Sequence, residues 1–239
     1  MPKQITGRAV GEVGRGLGQL MNQGLQIEII YAFVIIICSL MIYFGTRELY
    51  KLSGHKGIKY FRLGFLFFAF AYFFRSFIKV VLLYFNKEEI RAIAPFLFGS
   101  VTLFVFIYFS VMAIFYLLYS VIWKKLDKKL DKIWIFHLIA LIISFILVIS
   151  GNPIVGYLLL NILLFGCIIF MVYKAYHQSK KKGFNLYVIY GLLVIFWILN
   201  ILDILVPSFV QGFQLLIYMA SIVVFLMIVY KVIKKTGSN

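Results

Sequence analysis

The sequence predicts an all-α integral membrane protein with seven transmembrane helices, its N-terminus outside and its C-terminus inside the cell. Of the 239 residues, 64% are apolar and only 13% are charged, with a mean hydropathy of +1.02. Soluble domains carry about 25% charged residues, so this chain lacks the polar surface that a soluble fold needs. Seven stretches are long enough to cross a bilayer core of about 30 Å, and the basic residues cluster beside alternate ends of these stretches.

Each predicted span is a run of roughly 20 residues or more with little charge. Pro95, Pro153 and Pro207 lie near the starts of the third, fifth and seventh spans, where the missing N–H of proline leaves no hydrogen bond unmade. Little chain is left between the spans, which favours one membrane domain, 27–233, without a soluble catalytic domain. In order, the seven spans are 27–46, 58–84, 93–122, 133–151, 153–173, 185–206 and 208–230.

Two short segments flank this domain. Residues 1–26 are polar, contain six glycines and have no hydrophobic region of the kind found in signal peptides. We therefore expect the first span to insert directly as a reverse anchor. Residues 234–239 form a short cytoplasmic tail.

The net charge of +16 predicts membrane topology rather than a nucleic-acid partner. The turns after the fourth and sixth spans carry no basic residue, whereas 17 of the 24 Lys and Arg residues follow the odd-numbered spans. The positive-inside rule places that basic side in the cytoplasm, against anionic lipid headgroups. These residues are Arg47, Lys51, Lys56, Lys59, Arg62, Lys124, Lys125, Lys128, Lys129, Lys132, Lys174, Lys180, Lys181, Lys182, Lys231, Lys234 and Lys235.

Two polar elbows on the predicted inner side resemble each other. "YKLSGHKGI" begins at Tyr50 and "YHQSKKKGF" begins at Tyr176, and four of their nine positions agree, including Gly57 with Gly183. The third and seventh spans also end alike, in "FYLLYSVIWKK" and "FLMIVYKVIKK". These matches predict a parallel repeat of spans 1–3 and 5–7, with the fourth span restoring the orientation. The alternative is a chance match between residues that are common at inner helix ends.

This arrangement resembles the three-plus-one-plus-three seven-helix membrane proteins: microbial rhodopsins, the SWEET and PQ-loop sugar transporters, and the seven-helix sensor modules of bacterial kinases. The resemblance covers the whole membrane domain as topology and implies a fold. The family motifs are absent, because the seventh span has no lysine before Lys231 at its inner end and no Pro-Gln pair occurs.

Polar residues inside spans are costly and therefore mark candidate functional sites. Arg75 lies roughly 18 Å from the inner boundary of the second span, at 1.5 Å per residue, and Lys79 lies one turn further out on the same face. Glu28 and Asp203 offer counter-charges in the same outer half of the membrane. The predicted ligand-binding residues are Arg75, Lys79, Asn161, Asn200, Asp203 and Gln214.

These residues have two interpretations. They form an outward-facing pocket whose cations attract a small anionic ligand, or Arg75 pairs with Asp203 and Lys79 reaches the interface, so that the charges only stabilise the packing. Asn161 and Asn200 then serve as hydrogen-bonding groups between helices. In either case we expect Arg75 to face the interior of the bundle, near Asp203.

Enzyme chemistry is not expected. The sequence holds no H-E-x-x-H, no Gly-x-Ser-x-Gly and no phosphate-binding glycine loop in a strand–helix context. The histidines lack metal-ligand spacing, and Cys38 and Cys167 lie within spans. We therefore expect no catalytic residue, no bound metal and no cofactor. The many Phe and Tyr side chains are attributed to lipid-facing and interface positions.

The sequence favours a multi-pass cell-membrane protein of the sensor or receptor type. It would bind a small ligand in the outer half and signal through the basic inner elbows to a separate membrane or cytoplasmic protein, without nucleic acid. The first alternative is a small-solute transporter, which the lack of proline in mid-span disfavours. The second alternative is a non-catalytic subunit of a membrane assembly.

Overall fold

The computed structural model describes residues 26–84, 94–126, 133–150, 153–179, 186–205 and 211–236, and every regular element within them is an α-helix. The seven predicted spans each coincide with a helix, but α4, α6 and α8 continue past the predicted inner ends. Their last turns are rich in Lys, Gln and His rather than in apolar residues, so the apolar run marks the membrane and not the end of the helix. The helices are α1 (26–45), α2 (Arg47–Ser53), α3 (Lys56–Tyr84), α4 (Ala94–Leu126), α5 (Ile133–Ile149), α6 (Pro153–Ser179), α7 (Leu186–Leu205) and α8 (Gln211–Thr236).

Six helical stretches in these ranges are long and apolar enough to cross a membrane, with α1 and α2 counted as one. The helix α5 is shorter, with 17 residues, or about 26 Å at 1.5 Å per residue, which is close to the lower limit for a span. The architecture is consistent with a multi-pass helical membrane protein. That α5 also crosses the membrane, and that the N-terminus lies outside, stay predictions.

Four pairs of packed helices run in opposite directions: α1 with α3, α3 with α4, α6 with α7 and α7 with α8. Along α1 and α3, Glu28 contacts Arg75 and the Tyr43 carbonyl contacts Arg62, so one helix ascends while the other descends. Two contacts in each case show the same for α3 with α4, for α6 with α7 and for α7 with α8. The bundle therefore has an Arg75 end and, opposite, a basic end that holds Thr46, the start of α3 and the ends of α4, α6 and α8.

Helices α3 and α7 run parallel to each other. Phe68 packs against Phe196 at 5.9 Å between ring centroids. Tyr72 contacts Asn200 and Arg75 contacts Asp203, both at a separation of 128 residues along the chain. We call these three contacts the α3–α7 ladder. The predicted repeat requires α3 and α7 to be parallel, and it stays a prediction, because Gly183 lies outside the described residues.

The interior of the bundle is aromatic. Phe65, Phe68, Phe196 and Phe225 contact one another between α3, α7 and α8, with ring centroids 4.9–6.3 Å apart. Tyr119 and Tyr190 are fully buried. The outer surface is apolar as well, with residues such as Trp134 on α5 70% exposed. A surface of this kind suits lipid rather than water.

Glycines allow α3 and α4 to approach closely. A Cβ atom at Gly57 would lie 2.9 Å from the carbonyl oxygen of Ser120, and one at Gly64 would lie 2.8 Å from Cγ of Leu117. Small residues at a helix interface are a common packing device in membranes. This contact fixes α3, and with it the position of Arg75 on α3.

The first membrane helix has a break at Thr46, between α1 and α2. The Thr46 hydroxyl donates to the Ile42 carbonyl at 2.7 Å, and Nε of Arg62 donates to the Tyr43 carbonyl at 2.9 Å. The Arg62 guanidinium also lies over the Tyr43 ring, 4.7 Å from its centroid. Helix α2 then ends at Gly54, whose φ of +60° suits glycine at a helix C-terminus.

Candidate functional site

Arg75 lies inside the bundle and contacts two carboxylates on two other helices. Its Nη2 atom donates to Oδ2 of Asp203 on α7 at 2.7 Å. Nη2 and Nε both donate to Oε1 of Glu28 on α1, at 3.2 and 3.3 Å. The side chains of Arg75, Glu28 and Asp203 are only 17%, 10% and 7% exposed. The predicted contact between Arg75 and Asp203 is confirmed, and Glu28 is a second direct partner.

Asp203 also ties α8 to this group. Nε2 of Gln214 donates to Oδ1 of Asp203 at 3.2 Å and to the hydroxyl of Tyr218 at 2.9 Å. Both carboxylate oxygens of Asp203 therefore accept a hydrogen bond. The polar group spans α1, α3, α7 and α8, and we call Glu28, Arg75, Asp203 and Gln214 the ion-pair cluster.

A chain of hydroxyl groups lies one turn below the cluster. The Tyr72 hydroxyl donates to Oδ1 of Asn200 at 2.8 Å, and the hydroxyls of Tyr31 and Tyr72 are 3.1 Å apart. Because Tyr72 has a single O–H and uses it toward Asn200, Tyr31 must be the donor to Tyr72. The Tyr31 ring stacks on Tyr218, with 4.7 Å between centroids. This chain holds the same four helices together in a second layer.

Asn161 lies on α6, beside the cluster but not in contact with Arg75. Its Nδ2 atom donates to the Tyr157 carbonyl at 2.8 Å, and its own backbone carbonyl accepts from Nε1 of Trp197 at 3.0 Å. Asn161 is 3% exposed. In these contacts the Asn161 side chain bonds within α6, and the link to α7 is made by its backbone carbonyl.

A small cavity lies between α3, α4, α6 and α7 and reaches the Arg75 side chain. Its volume is about 20 Å³, enough for one or two water molecules, since each needs about 10–15 Å³. Aromatic rings form much of its wall, and polar side chains lie among them. The lining residues are Phe68, Ala71, Tyr72, Arg75, Phe106, Ser110, Ala113, Tyr157, Asn161, Trp197 and Asn200.

The structure brings together five of the six residues that the sequence predicts as ligand-binding. Arg75, Asp203 and Gln214 are in the ion-pair cluster, while Asn161 and Asn200 line the adjoining cavity together with Arg75. Lys79 is on α3, but its side chain lies outside the described part. Whether these residues bind a ligand stays a prediction. Among the described residues there is no group of His, Cys, Asp or Glu that could hold a metal ion.

Sequence reasoning missed the tyrosines of this site. Tyr31, Tyr72 and Tyr218 are 3–5% exposed, so the attribution of aromatic residues to lipid and interface positions is wrong for them. Spacing carries the missing signal, because Tyr72 lies three residues before Arg75 and Tyr218 four residues after Gln214. Residues at these spacings share a helix face. Sequence reasoning also missed Ser110 and Tyr157. Both line the cavity, and nothing else relates them.

Comparison with known proteins gives one informative match. A protein of Archaeoglobus fulgidus is 31% identical over 220 residues, which cover 87% of this chain and 92% of the archaeal protein. The chain belongs to the same family. The shared region takes in most of the bundle, so the similarity belongs to the membrane domain as a whole.

The archaeal protein is described as an uncharacterized protein, so it assigns no activity to the family. No protein-family model matches the chain. No solved structure is similar to it.

Proposed function

We propose that this chain is a membrane sensor that binds a small ligand beside Arg75 and responds by moving helices relative to one another. The observation that carries the proposal is the shared position of Arg75, which belongs both to the ion-pair cluster and to the wall of a cavity. A molecule in the cavity contacts the same guanidinium that holds α1 and α7. Binding is thereby linked to the packing of these helices.

The cost of the charges supports a functional role. Each charged side chain in the middle of a membrane costs about 2.5–3.5 kcal/mol on insertion scales. Replacing a buried ion pair with apolar residues is often neutral or stabilising. A cluster of three charges is therefore an expensive way to hold helices together even toward one end of the bundle, and this cost supports a use beyond packing.

The route from the cavity to the basic end runs along continuous helices. Helix α1 leads from Glu28 to the break at Thr46, where Arg62 binds the Tyr43 carbonyl. Helix α3 leads from Arg75 back to the same Arg62. We infer that a change at the cluster alters the geometry at this break, close to the predicted cytoplasmic elbow. The elbow would present its basic side chains to a separate protein or to anionic lipid.

The transporter alternative receives less support. Substrate sites in transporters favour interrupted helices, whereas α3 runs unbroken past Arg75 to Tyr84. The break that the described residues contain, at Thr46, lies at the opposite end of the bundle. The assembly-subunit alternative gives the cavity no role.

The experiment uses Trp197, which lines the cavity. A variant with Trp123→Phe and Trp134→Phe keeps this single tryptophan as a reporter. The purified protein in lipid nanodiscs is titrated with a panel of small anionic, neutral and cationic molecules. We expect saturable quenching by at least one class, and no uptake of that molecule into proteoliposomes.

Two results would count against a sensor. Saturable uptake of the bound molecule would make the protein a transporter. Absence of any binder, together with a membrane protein that co-purifies in fixed ratio, would make it an assembly subunit.

A further inference from the structure

We propose that the ligand is a small neutral molecule with a hydrogen-bond-accepting oxygen, such as a primary amide, rather than an anion. This inference rests on the proposed function, since it names the class of ligand for the same cavity. It follows from the hydrogen bonds that Arg75 already makes, from a second polar side chain that lines the cavity and from the charges around Arg75.

Arg75 has a free pair of donors. A guanidinium carries five N–H groups, and the three on Nε and Nη2 point to Glu28 and Asp203. The two N–H groups of Nη1 make no hydrogen bond to any residue in the described ranges, and Arg75 lines the cavity. A carbonyl oxygen of a ligand can accept from one of them. Arg75 is thus a donor toward the cavity and an ion-pair partner away from it.

Ser110 supplies a complementary group on the facing helix. It lies on α4, lines the same cavity and is half-buried. Its hydroxyl forms no hydrogen bond within the described part of the chain and can accept from an N–H or O–H group of a ligand. Phe68, Phe106 and Trp197 surround these polar groups. The cavity therefore suits a planar molecule with one accepting and one donating end.

The charges beside Arg75 disfavour an anion. Counting the described residues alone, the guanidinium already contacts Glu28 and Asp203, so an anion at Nη1 would meet one positive and two negative groups from this part of the chain. A cation would instead face the two donor N–H groups of Nη1. A neutral ligand avoids both repulsions. The anionic ligand predicted from the sequence depends on Lys79, which the test below includes.

The test compares three molecules of the same size: formamide, formate and formamidinium. Each has three heavy atoms in a planar arrangement, and at pH 7 they are neutral, negative and positive. Binding is read from Trp197 fluorescence in the single-tryptophan protein, in nanodiscs at constant ionic strength. Ligands this small bind with roughly millimolar dissociation constants at best. We expect formamide to bind saturably, and formate and formamidinium to bind at least about tenfold more weakly.

Ser110→Ala and Ser76→Ala form a matched pair of variants. Ser76 is on α3, and its hydroxyl donates to the Tyr72 carbonyl at 3.0 Å without lining the cavity. Ser110→Ala should weaken formamide about 3- to 10-fold, the effect of one hydrogen bond. Ser76→Ala should leave its affinity unchanged. Lys79→Met should leave the order of the three molecules unchanged.

Three results would overturn the inference. Formate binding at least as tightly as formamide would show an anion site, and its loss in Lys79→Met would identify the second cation. Equal effects of Ser110→Ala and Ser76→Ala would place formamide elsewhere. The third is a lack of saturable formamide binding. Formate or formamidinium binding leaves the sensor proposal standing, because that proposal fails on uptake or on the absence of every binder.

Discussion

At the scale of the residue, Arg75 is the cation that compensates two carboxylates from two helices. Its replacement by leucine would leave Glu28 and Asp203 close together in an apolar interior. Loss of one partner of a buried pair costs about 3–5 kcal/mol. We therefore predict that Arg75→Leu lowers the thermal unfolding midpoint of the detergent-purified protein more than any exposed substitution, such as Arg47→Leu on α2.

Removal of the carboxylates should restore stability in two steps. Arg75→Leu with Asp203→Asn should recover part of the loss, and the further change Glu28→Gln should recover most of the remainder. If Arg75 were paired with Asp203 alone, the change Asp203→Asn would restore the stability by itself. A further gain from Glu28→Gln therefore indicates that Arg75 is paired with both carboxylates. Equal unfolding midpoints for the single and triple variants would contradict the contacts described for Arg75.

The sequence was sufficient to predict the pairing of Arg75 with Asp203, but not the residues around it. A charge in an apolar span has few ways to be satisfied, so one opposite charge at similar depth identifies the partner. Tyrosine gives no such signal, because it suits both the interface and the interior. Ser110 is equally ambiguous, since a serine in a membrane helix usually bonds its own backbone.

At the scale of the element, glycines divide into those that allow close helix contacts and those that do not. A Cβ atom at Gly57 would lie 2.9 Å from the Ser120 carbonyl oxygen, whereas one at Gly166 on α6 has nothing within 4 Å. We predict that Gly57→Ala destabilises the protein by about 1–3 kcal/mol through overpacking. Gly166→Ala should be neutral or stabilising, by up to about 1 kcal/mol of helix propensity. Thermal unfolding of the two variants tests this, and a destabilising Gly166→Ala would contradict it.

Helix α5 is held to α4 through His137. The Tyr108 hydroxyl lies 2.7 Å from Nδ1 of His137, and the Tyr116 hydroxyl lies 2.9 Å from Nε2. We predict that His137→Phe destabilises the protein by about 1–2 kcal/mol, because both hydroxyls lose their partner in the membrane.

Two control variants define that result. His137→Gln should retain part of the stability, since an amide can both donate and accept. His177→Phe, at the end of α6, removes a histidine whose ring packs at a tilt against Tyr173 and should have little effect. If His177→Phe and His137→Phe reduced the unfolding midpoint equally, the bridge from α5 to α4 would carry no stability.

The position of each helix could be predicted from the sequence because apolar length is a direct signal. The break at Thr46 could not. It depends on Arg62, which lies on α3 and reaches the Tyr43 carbonyl across 19 residues of chain. The sequence around Thr46 does not indicate that a side chain from another helix binds the Tyr43 carbonyl.

At the scale of the whole molecule, the number of membrane crossings decides the topology. If α5 crosses, a cysteine at position 128 is cytoplasmic and one at position 152 is external. We predict that Asn152→Cys is labelled by an impermeant maleimide in intact cells and that Lys128→Cys is labelled only after permeabilisation. The background variant carries Cys38→Ala and Cys167→Ala, which removes both native cysteines. Labelling of both positions from the same side would leave six crossings.

The parallel repeat belongs to this scale as well. It was inferred from two short matches at the basic end, and the parallel course of α3 and α7 agrees with it. Comparing the two elbows requires the structure around Gly183, which lies outside the described residues. Contacts inside the bundle give it little support, because the residues that meet across the α3–α7 ladder differ in type. Arg75 faces Asp203, and Tyr72 faces Asn200.

The α3–α7 ladder restricts how these two helices can slide. Tyr72 and Arg75 are three residues apart, and so are Asn200 and Asp203. A shift of α7 by three residues, about 4.5 Å, would bring the Asn200 amide opposite Arg75, but it would separate Asp203 from Arg75 and Asn200 from Tyr72. Halfway along, both Arg75 and Tyr72 would lack their partners on α7, and unpaired polar groups are costly in an apolar interior. We therefore expect α7 to keep this register on α3 unless these polar groups find new partners.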